Sequence, residues 1–171
     1  FEEFTYELIR QVAIQPTFDE ATYNNAKGEA LAELVIADIR EAYARRAQFV
    51  AQTAMPVIKN LVESNPQAEN MYIPITNGTL VYNVLVNLKK CVENDGAEIY
   101  KMFTKLAMLT TIDDNWREHL REMDDLKQSV QNATYEQKDP LLIYKLESVN
   151  LFDAMVNKIN DKTLSILMRG Q

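Results

Sequence analysis

The chain has 171 residues, enough for one domain of ordinary size or two small modules. Apolar residues make up 47% and charged residues 25%, a balance typical of globular proteins that argues against disorder throughout. The formal net charge of -7 argues against a nucleic-acid partner, because nucleic-acid-binding surfaces are usually basic.

The sequence also limits the cellular context. It has no run of about 18 apolar residues that predicts a membrane span, and it does not open with a basic and then apolar signal segment. Cys91 is the single cysteine, so a disulfide framework is excluded and a reducing cytoplasm is the simplest compartment. Because Phe1 begins directly in a helical pattern, we expect a piece of a longer protein.

Two helices are predicted before residue 65. Apolar residues recur at helical spacing from Phe1 to Val12, and Pro16 is expected to end this first helix. Residues 17–27 are interpreted as a polar connection or a short extra turn.

A long helix is predicted from about Gly28 until Ser64-Asn65-Pro66 stops it. Pro56 lies inside this pattern. It is expected to kink or restart the helix, because proline removes a backbone donor.

The middle of the chain favours a β-hairpin. Two β-prone runs, 71–75 and 80–84, flank Asn77-Gly78, and this dipeptide predicts a tight turn whose two central residues have positive φ. Pro74 would confine its strand to an edge of the sheet. A helix over residues 80–92 also fits a 3.6-residue period and remains an alternative.

A short helix is predicted after the hairpin, with Asn87 as its N-cap and an end before Gly96. The longest helix follows, with roughly 34 residues spanning about 50 Å, which fits a projecting element. Its predicted apolar stripe consists of Ile99, Met102, Phe103, Leu106, Leu109, Trp116, Leu120, Met123, Leu126 and Val130.

A return helix is predicted to begin at Asp139 and Pro140, since aspartate is a good N-cap and proline suits the first helical position. Arg169 and Gly170 are consistent with its end. Its predicted apolar face consists of Leu142, Val149, Phe152, Val156 and Ile159.

These elements predict a mainly α fold, in which a long antiparallel helical hairpin packs with further helices and a small β-hairpin is added. Three segments are expected: 1–55, with a helix that leads back to the long hairpin; 56–96, an insertion that contains the β-hairpin; and 97–171, the long hairpin itself.

The long helix carries a cluster of acidic residues around one histidine, which raises the question of chemistry. Its members are Asp113, Asp114, Glu118, His119, Glu122, Asp124 and Asp125. A di-iron bundle needs two Glu-x-x-His motifs, and His119 with Cys91 alone supplies too few zinc ligands. A solvated helix face with intrahelical ion pairs is the favoured interpretation. The chain also lacks a Gly-Lys-Ser/Thr phosphate loop, so no enzymatic activity is expected of it.

One pattern in the last third is more specific than any of these motifs. It has matching identity and spacing over more than 30 residues. This pattern resembles the two-helix finger of SecA, the motor ATPase family of bacterial preprotein translocation. Its residues are Trp116, His119, Leu120, Met123, Asp124, Leu126, Tyr135, Gln137, Asp139, Pro140, Tyr144 and Glu147.

The resemblance implies that the tip contacts the translocating preprotein and the mouth of the SecYEG channel, and that the finger helps regulate the ATPase. The implied tip contacts are Tyr135, Thr134, Glu136, Gln137 and Asn132. The residues implied in structural or regulatory coupling are Trp116, His119, Asp124, Asp139 and Pro140.

The resemblance further implies a helical wing and scaffold segment with no cofactor of its own, while ATP and magnesium bind elsewhere in the parent. Implied partners are the rest of SecA and, through it, the inner face of the cell membrane, to which the parent attaches peripherally from the cytoplasm. Homodimerisation in vitro is expected if surfaces that meet the missing scaffold are exposed.

Two departures qualify the match. Family members often carry Arg-Gly just before the tip tyrosine, whereas this chain has Ala133-Thr134, so a contact made by that arginine is not transferred. Residues 56–96 resemble an insertion of unassigned role. The competing hypotheses are a free-standing helical adaptor that binds another protein through the hairpin, and a metal-dependent enzyme.

Overall fold

The computed structural model describes residues 1–132 and 139–171. In these ranges the elements are α1 (Glu2–Val12), α2 (Glu20–Asn25), α3 (Glu29–Ser64), β1 (Asn70–Thr76), β2 (Val81–Asn87), α4 (Leu88–Glu93), α5 (Ala97–Asn132) and α6 (Pro140–Leu167). The predicted mainly helical class with a small antiparallel β-hairpin is confirmed. The chain divides into unit 1, which is Phe1–Ala107 with Leu164–Gln171, and unit 2, which is Met108–Thr163.

Local capping sets several helix boundaries. The Asn87 side chain accepts a hydrogen bond from the Lys90 backbone N–H at 3.1 Å, which confirms the predicted cap of α4. Asp19 caps α2 in the same way through Thr22 N–H at 2.9 Å. Ala13, with a φ of 52°, ends α1 ahead of Pro16. These short-range bonds satisfy backbone groups that would otherwise lack partners at the helix ends.

Pro56 does not interrupt α3, so the predicted restart at this residue is wrong. Proline removes one helical hydrogen bond, and continuity must then be maintained by packing. Met55 and Ile58, on either side of Pro56, are buried. Burial of an aliphatic side chain is worth about 1.5–3 kcal/mol, which is comparable to the local cost of the proline.

The β-hairpin closes through a longer loop than the predicted tight turn. Thr76 pairs with Val81, so four residues lie between the strands. Gly78 has a φ of 90°, but Asn77 is not among the residues with positive φ, so that part of the prediction is wrong. Instead, Asn77 Oδ1 accepts hydrogen bonds from the N–H groups of Thr79 and Leu80, at 3.0 and 2.8 Å. The alternative of a helix over residues 80–92 is wrong across β2.

The core of unit 1 lies between the hairpin and helices α3, α4 and α5. Alternate residues of the strands point inward, and Ile73, Ile75, Val84 and Val86 are buried. They pack in one cluster with residues of the helices, which include Ile58, Leu88, Ile99 and Phe103. Residues 56–96 therefore contribute strongly to this core. The division of the chain at residues 55 and 96 stays a prediction.

Tyr100 ties α5 to the C-terminal end of α6 within unit 1. Its hydroxyl donates a hydrogen bond to the Leu167 carbonyl at 2.6 Å, and its ring stacks edge-on against Tyr43 and Phe103. Burial raises the pKa of Tyr100 to about 12, because the phenolate would lose its hydration. Tyr100 therefore stays a neutral hydrogen-bond donor at physiological pH.

Candidate functional site

Unit 2 is a pair of helical segments from α5 and α6. Lys162 Nζ donates to Asn115 Oδ1 at 3.5 Å, and the His119 and Phe152 rings lie 6.0 Å apart, close to edge-on. Later residues of α5 thus meet earlier residues of α6, which confirms the predicted antiparallel hairpin. A cleft of about 180 Å³ lies between the helices, lined by Asn115, Glu118, Glu122, Ala154, Met155 and Lys158.

Asp139 and Pro140 start α6 as predicted. Asp139 Oδ1 accepts a hydrogen bond from Leu141 N–H at 3.0 Å, and its carbonyl accepts from Ile143 N–H at 3.2 Å. Pro140 is the first helical residue, where its missing N–H costs nothing. The cap fixes where the helix begins after the tip.

A row of polar side chains occupies the buried side of α5. Thr111, Asn115 and His119 follow one another at four-residue spacing, and their relative exposures are 4%, 4% and 6%. Asn115 Nδ2 donates to the Thr111 carbonyl at 2.7 Å. His119 Nδ1 has no hydrogen-bond partner within the described part of the chain. The expectation that His119 lies on a solvated face is wrong, and the four-residue spacing of these polar residues was the signal that could have revealed it.

The opposite surprise is an exposed apolar row on the same helix. Trp116 is 45% exposed, and Leu109 and Leu120 are exposed to similar extents. These residues were predicted to belong to the buried stripe, and that prediction is wrong for all three. The whole predicted face of α6 except Ile159 is also exposed. We call the exposed row Leu109, Ile112, Trp116, Leu120, Leu142, Leu146, Val149, Phe152 and Val156 the apolar row.

His119 connects the two helices' shares of the apolar row. Its ring lies 5.6 Å from the Trp116 ring and 6.0 Å from the Phe152 ring. The buried histidine therefore has an exposed aromatic side chain on each side. The aromatic neighbours Trp116 and Phe152 bring the exposed parts of α5 and α6 together at this level of the hairpin.

The acidic cluster forms intrahelical ion pairs, as predicted. Arg117 bonds to Asp113 and Asp114, and Arg121 donates to Glu118 at 3.0 Å. The hydrogen bond to Asp113 raises the pKa of Arg117 above its ordinary value. Such exposed pairs are each worth under about 1 kcal/mol. Within the described ranges no three histidine, cysteine, aspartate or glutamate residues are arranged to hold a metal ion.

The remaining predicted site residues are less defined. Asp124 is exposed on α5, and Asn132 is the last residue of that helix. The predicted tip contacts Thr134, Tyr135, Glu136 and Gln137 lie outside the described residues. The contact and coupling roles of these residues therefore stay predictions.

A helical hairpin with a contiguous exposed apolar row is typical of a module that contacts other protein segments. No described helix combines the length and apolarity that crossing a membrane requires. The profile of the SecA Wing and Scaffold domain matches residues 2–171, and the chain belongs to this family.

Curated relatives align with the whole chain. It is 52% identical over 172 residues to the protein translocase subunit SecA of Phocaeicola vulgatus, and 51% identical to that of Bacteroides thetaiotaomicron. In each case 100% of this chain is covered but only 16% of the relative. The SecA of Christiangramia forsetii is 39% identical over the same length. No solved structure matches the chain.

Proposed function

We propose that this chain serves as the wing and scaffold segment of a SecA-type protein translocation motor. In this role the hairpin tip contacts the translocating preprotein and the mouth of the SecYEG channel. The observation that carries the proposal is the family match over residues 2–171, supported by full coverage in relatives named protein translocase subunits.

The helical hairpin suits a mechanical role. From Met108 to Asn132, α5 extends roughly 37 Å within unit 2, at about 1.5 Å per residue. The ion pairs of Arg117 and Arg121 and the cap at Asp139 add local support to the two helices. A stiff pair of helices can hold a short tip at a defined distance from its base.

Tyr135 is the tip residue best suited to grip a polypeptide of any sequence. Its ring offers apolar area and a π-face, and its hydroxyl can donate or accept one hydrogen bond. Neither interaction demands a particular partner side chain. Asn132, Thr134, Glu136 and Gln137 would add polar contacts to the backbone of the preprotein or to the channel.

The apolar row is the proposed contact with the rest of SecA. Trp116 and His119 would couple the hairpin to the ATPase through this packing, and exposed Asp124 would add a polar contact. ATP and magnesium would bind to the rest of the motor, and this segment would not hydrolyse ATP. The motor would act in the cytoplasm, peripherally bound to the inner face of the cell membrane.

The free-standing helical adaptor is the second candidate. The apolar row favours it, because such a row would serve any helical partner equally well. In isolation, the same surface is also expected to drive homodimerisation in vitro. An adaptor would not need the tip tyrosine for translocation, and this difference separates the two candidates.

The test uses a full-length SecA that carries this segment, with Tyr135→Gly compared with Tyr135→Phe. We expect Tyr135→Gly to slow preprotein translocation into inverted membrane vesicles by roughly tenfold or more, since loss of a well-packed aromatic contact costs over about 1 kcal/mol. Tyr135→Phe should keep most of the rate because the ring remains. Basal ATP hydrolysis should be unchanged in both variants. Wild-type translocation by Tyr135→Gly would refute the tip contact and favour the adaptor.

A further inference from the structure

The outer edge of β1 already accepts one residue in the manner of a neighbouring strand. Thr76 N–H donates to the Gln171 carbonyl at 3.0 Å, and Gln171 N–H donates back to the Thr76 carbonyl at 3.0 Å. Such a reciprocal pair of bonds is the hydrogen-bonded pair of antiparallel strands. Because β2 covers the other edge of β1, Gln171 lies on the edge that the hairpin leaves open.

The register of the hairpin shows which further groups face this edge. Leu88 N–H bonds to the Glu69 carbonyl, and Asn77 N–H bonds to the Leu80 carbonyl, so the odd-numbered residues of β1 bond toward β2. The even-numbered residues therefore face outward. Tyr72 presents both an N–H and a carbonyl to the open edge, whereas Pro74 presents only a carbonyl.

An apolar groove runs along the same edge. Its volume is about 220 Å³, and its walls are Thr53, Ala54, Val57 and Ile58 of α3 and Met71, Tyr72, Ile73 and Pro74 of β1. Successive strand residues point to opposite faces of a sheet, so a groove lined by four consecutive residues must follow the edge of the strand. Val57 and Tyr72 are 57% and 64% exposed, which leaves the groove accessible.

We propose that this edge binds an extended segment of another polypeptide, which adds to the hairpin as a strand antiparallel to β1. The segment would continue the register that Gln171 begins, bond to the outward groups of Pro74 and Tyr72, and place an apolar side chain in the groove. Strand addition of this kind obtains affinity from the main chain and selectivity from the pocket.

An extended apolar segment fits this edge better than a helix or a small molecule. The outward groups of β1 recur at every second residue, a spacing that a second strand matches. The walls of the groove are almost entirely apolar side chains, so they favour an aliphatic or aromatic side chain over a charged one. The surface belongs to unit 1, and the proposal does not depend on the role of the hairpin tip in translocation.

The test titrates the 171-residue chain against a fluorescein-labelled peptide, Lys-Thr-Val-Thr-Val-Thr-Lys, with fluorescence anisotropy as the readout. Tyr72→Pro removes the outward N–H of β1 but leaves the bonds to β2 intact. The matched control is Asn83→Pro, which removes an outward N–H from the far edge of β2. We expect saturable binding that Tyr72→Pro weakens roughly tenfold and that Asn83→Pro leaves unchanged.

A second pair of variants tests the groove without altering the backbone. Val57→Lys places a charge in the groove wall and should weaken peptide binding, whereas Val81→Lys, on an exposed β2 residue outside the groove, should not. Circular dichroism confirms folding of all four variants.

Three outcomes would overturn the proposal. The first is equal binding by Tyr72→Pro and Asn83→Pro. The second is light scattering that shows self-association through the β1 edge in place of peptide binding, since a second copy would then be the occupant. The third is loss of peptide binding in a full-length SecA that carries this segment, because the edge would then be filled by its own chain.

Discussion

Trp116→Ala should destabilise the chain only moderately, because Trp116 is half exposed. Replacing a fully buried tryptophan or phenylalanine by alanine costs about 3–5 kcal/mol. Trp116 is 45% exposed, so about half of its surface is removed from water. Solvent can also fill the space that the ring leaves, so little cavity cost is added. We therefore expect a loss of about 2 kcal/mol in the free energy of unfolding.

Urea denaturation followed by far-ultraviolet circular dichroism measures this loss. Fluorescence is unsuitable because Trp116 is the single tryptophan. The matched control is Phe103→Ala on the same helix, since Phe103 is fully buried and its ring lies 5.6 Å from Tyr82 and 5.3 Å from Tyr100. It should lose about 3–5 kcal/mol.

A loss for Trp116→Ala as large as that for Phe103→Ala would refute the exposure of Trp116 in the isolated chain. A small loss has a practical consequence. A change in ATPase regulation by Trp116→Ala in a full-length motor would then reflect lost contacts of the apolar row rather than unfolding of this segment.

Three further predictions concern stability. Asp139→Ala should cost about 1 kcal/mol in urea denaturation and Asp139→Asn much less, because asparagine can still cap Leu141 N–H; equal losses would contradict the cap. Gly170→Ala should cost about 1–3 kcal/mol in the same assay, since its Cβ would overlap the Phe103 ring and lie 3.0 Å from the Tyr100 hydroxyl; an unchanged stability would contradict this packing. Burial raises the pKa of the Cys91 thiol to about 11. Above about pH 8.5 the unfolded thiol loses its proton while the folded one keeps it, so stability should fall as pH rises toward 11, and less steeply in Cys91→Ala. Identical pH profiles for the two proteins would count against this assignment.

Short-range chemistry made many boundaries predictable from sequence. The caps at Asn87 and Asp139 depend on groups two or three residues away, so the sequence pattern contains all of the interacting partners. The hairpin was predictable for the same reason. Its loop was not, because Asn77 uses its side chain to bond Thr79 and Leu80 instead of adopting a positive φ.

The buried face of α5 could not be predicted from apolar spacing alone. A hydrophobic stripe marks the core only when the partner helix is apolar and when the element has a single partner. In unit 2 the buried row is Thr111, Asn115 and His119, which a polar partner such as Lys162 can meet, while Trp116 is exposed. Choosing between these two faces required the position of α6, which no local pattern of α5 contains.

The most direct test of the translocation role is a site-specific cross-link at the hairpin tip. A photoreactive phenylalanine analogue replaces Tyr135 in a full-length SecA that carries this segment, and a preprotein is arrested during passage through SecYEG. Replacement of exposed Lys145 on α6 with the same analogue is the control for proximity alone. The account predicts ATP-dependent cross-links from position 135 to the preprotein, and none from position 145. No cross-link from position 135 while the preprotein is demonstrably inside the channel would contradict it.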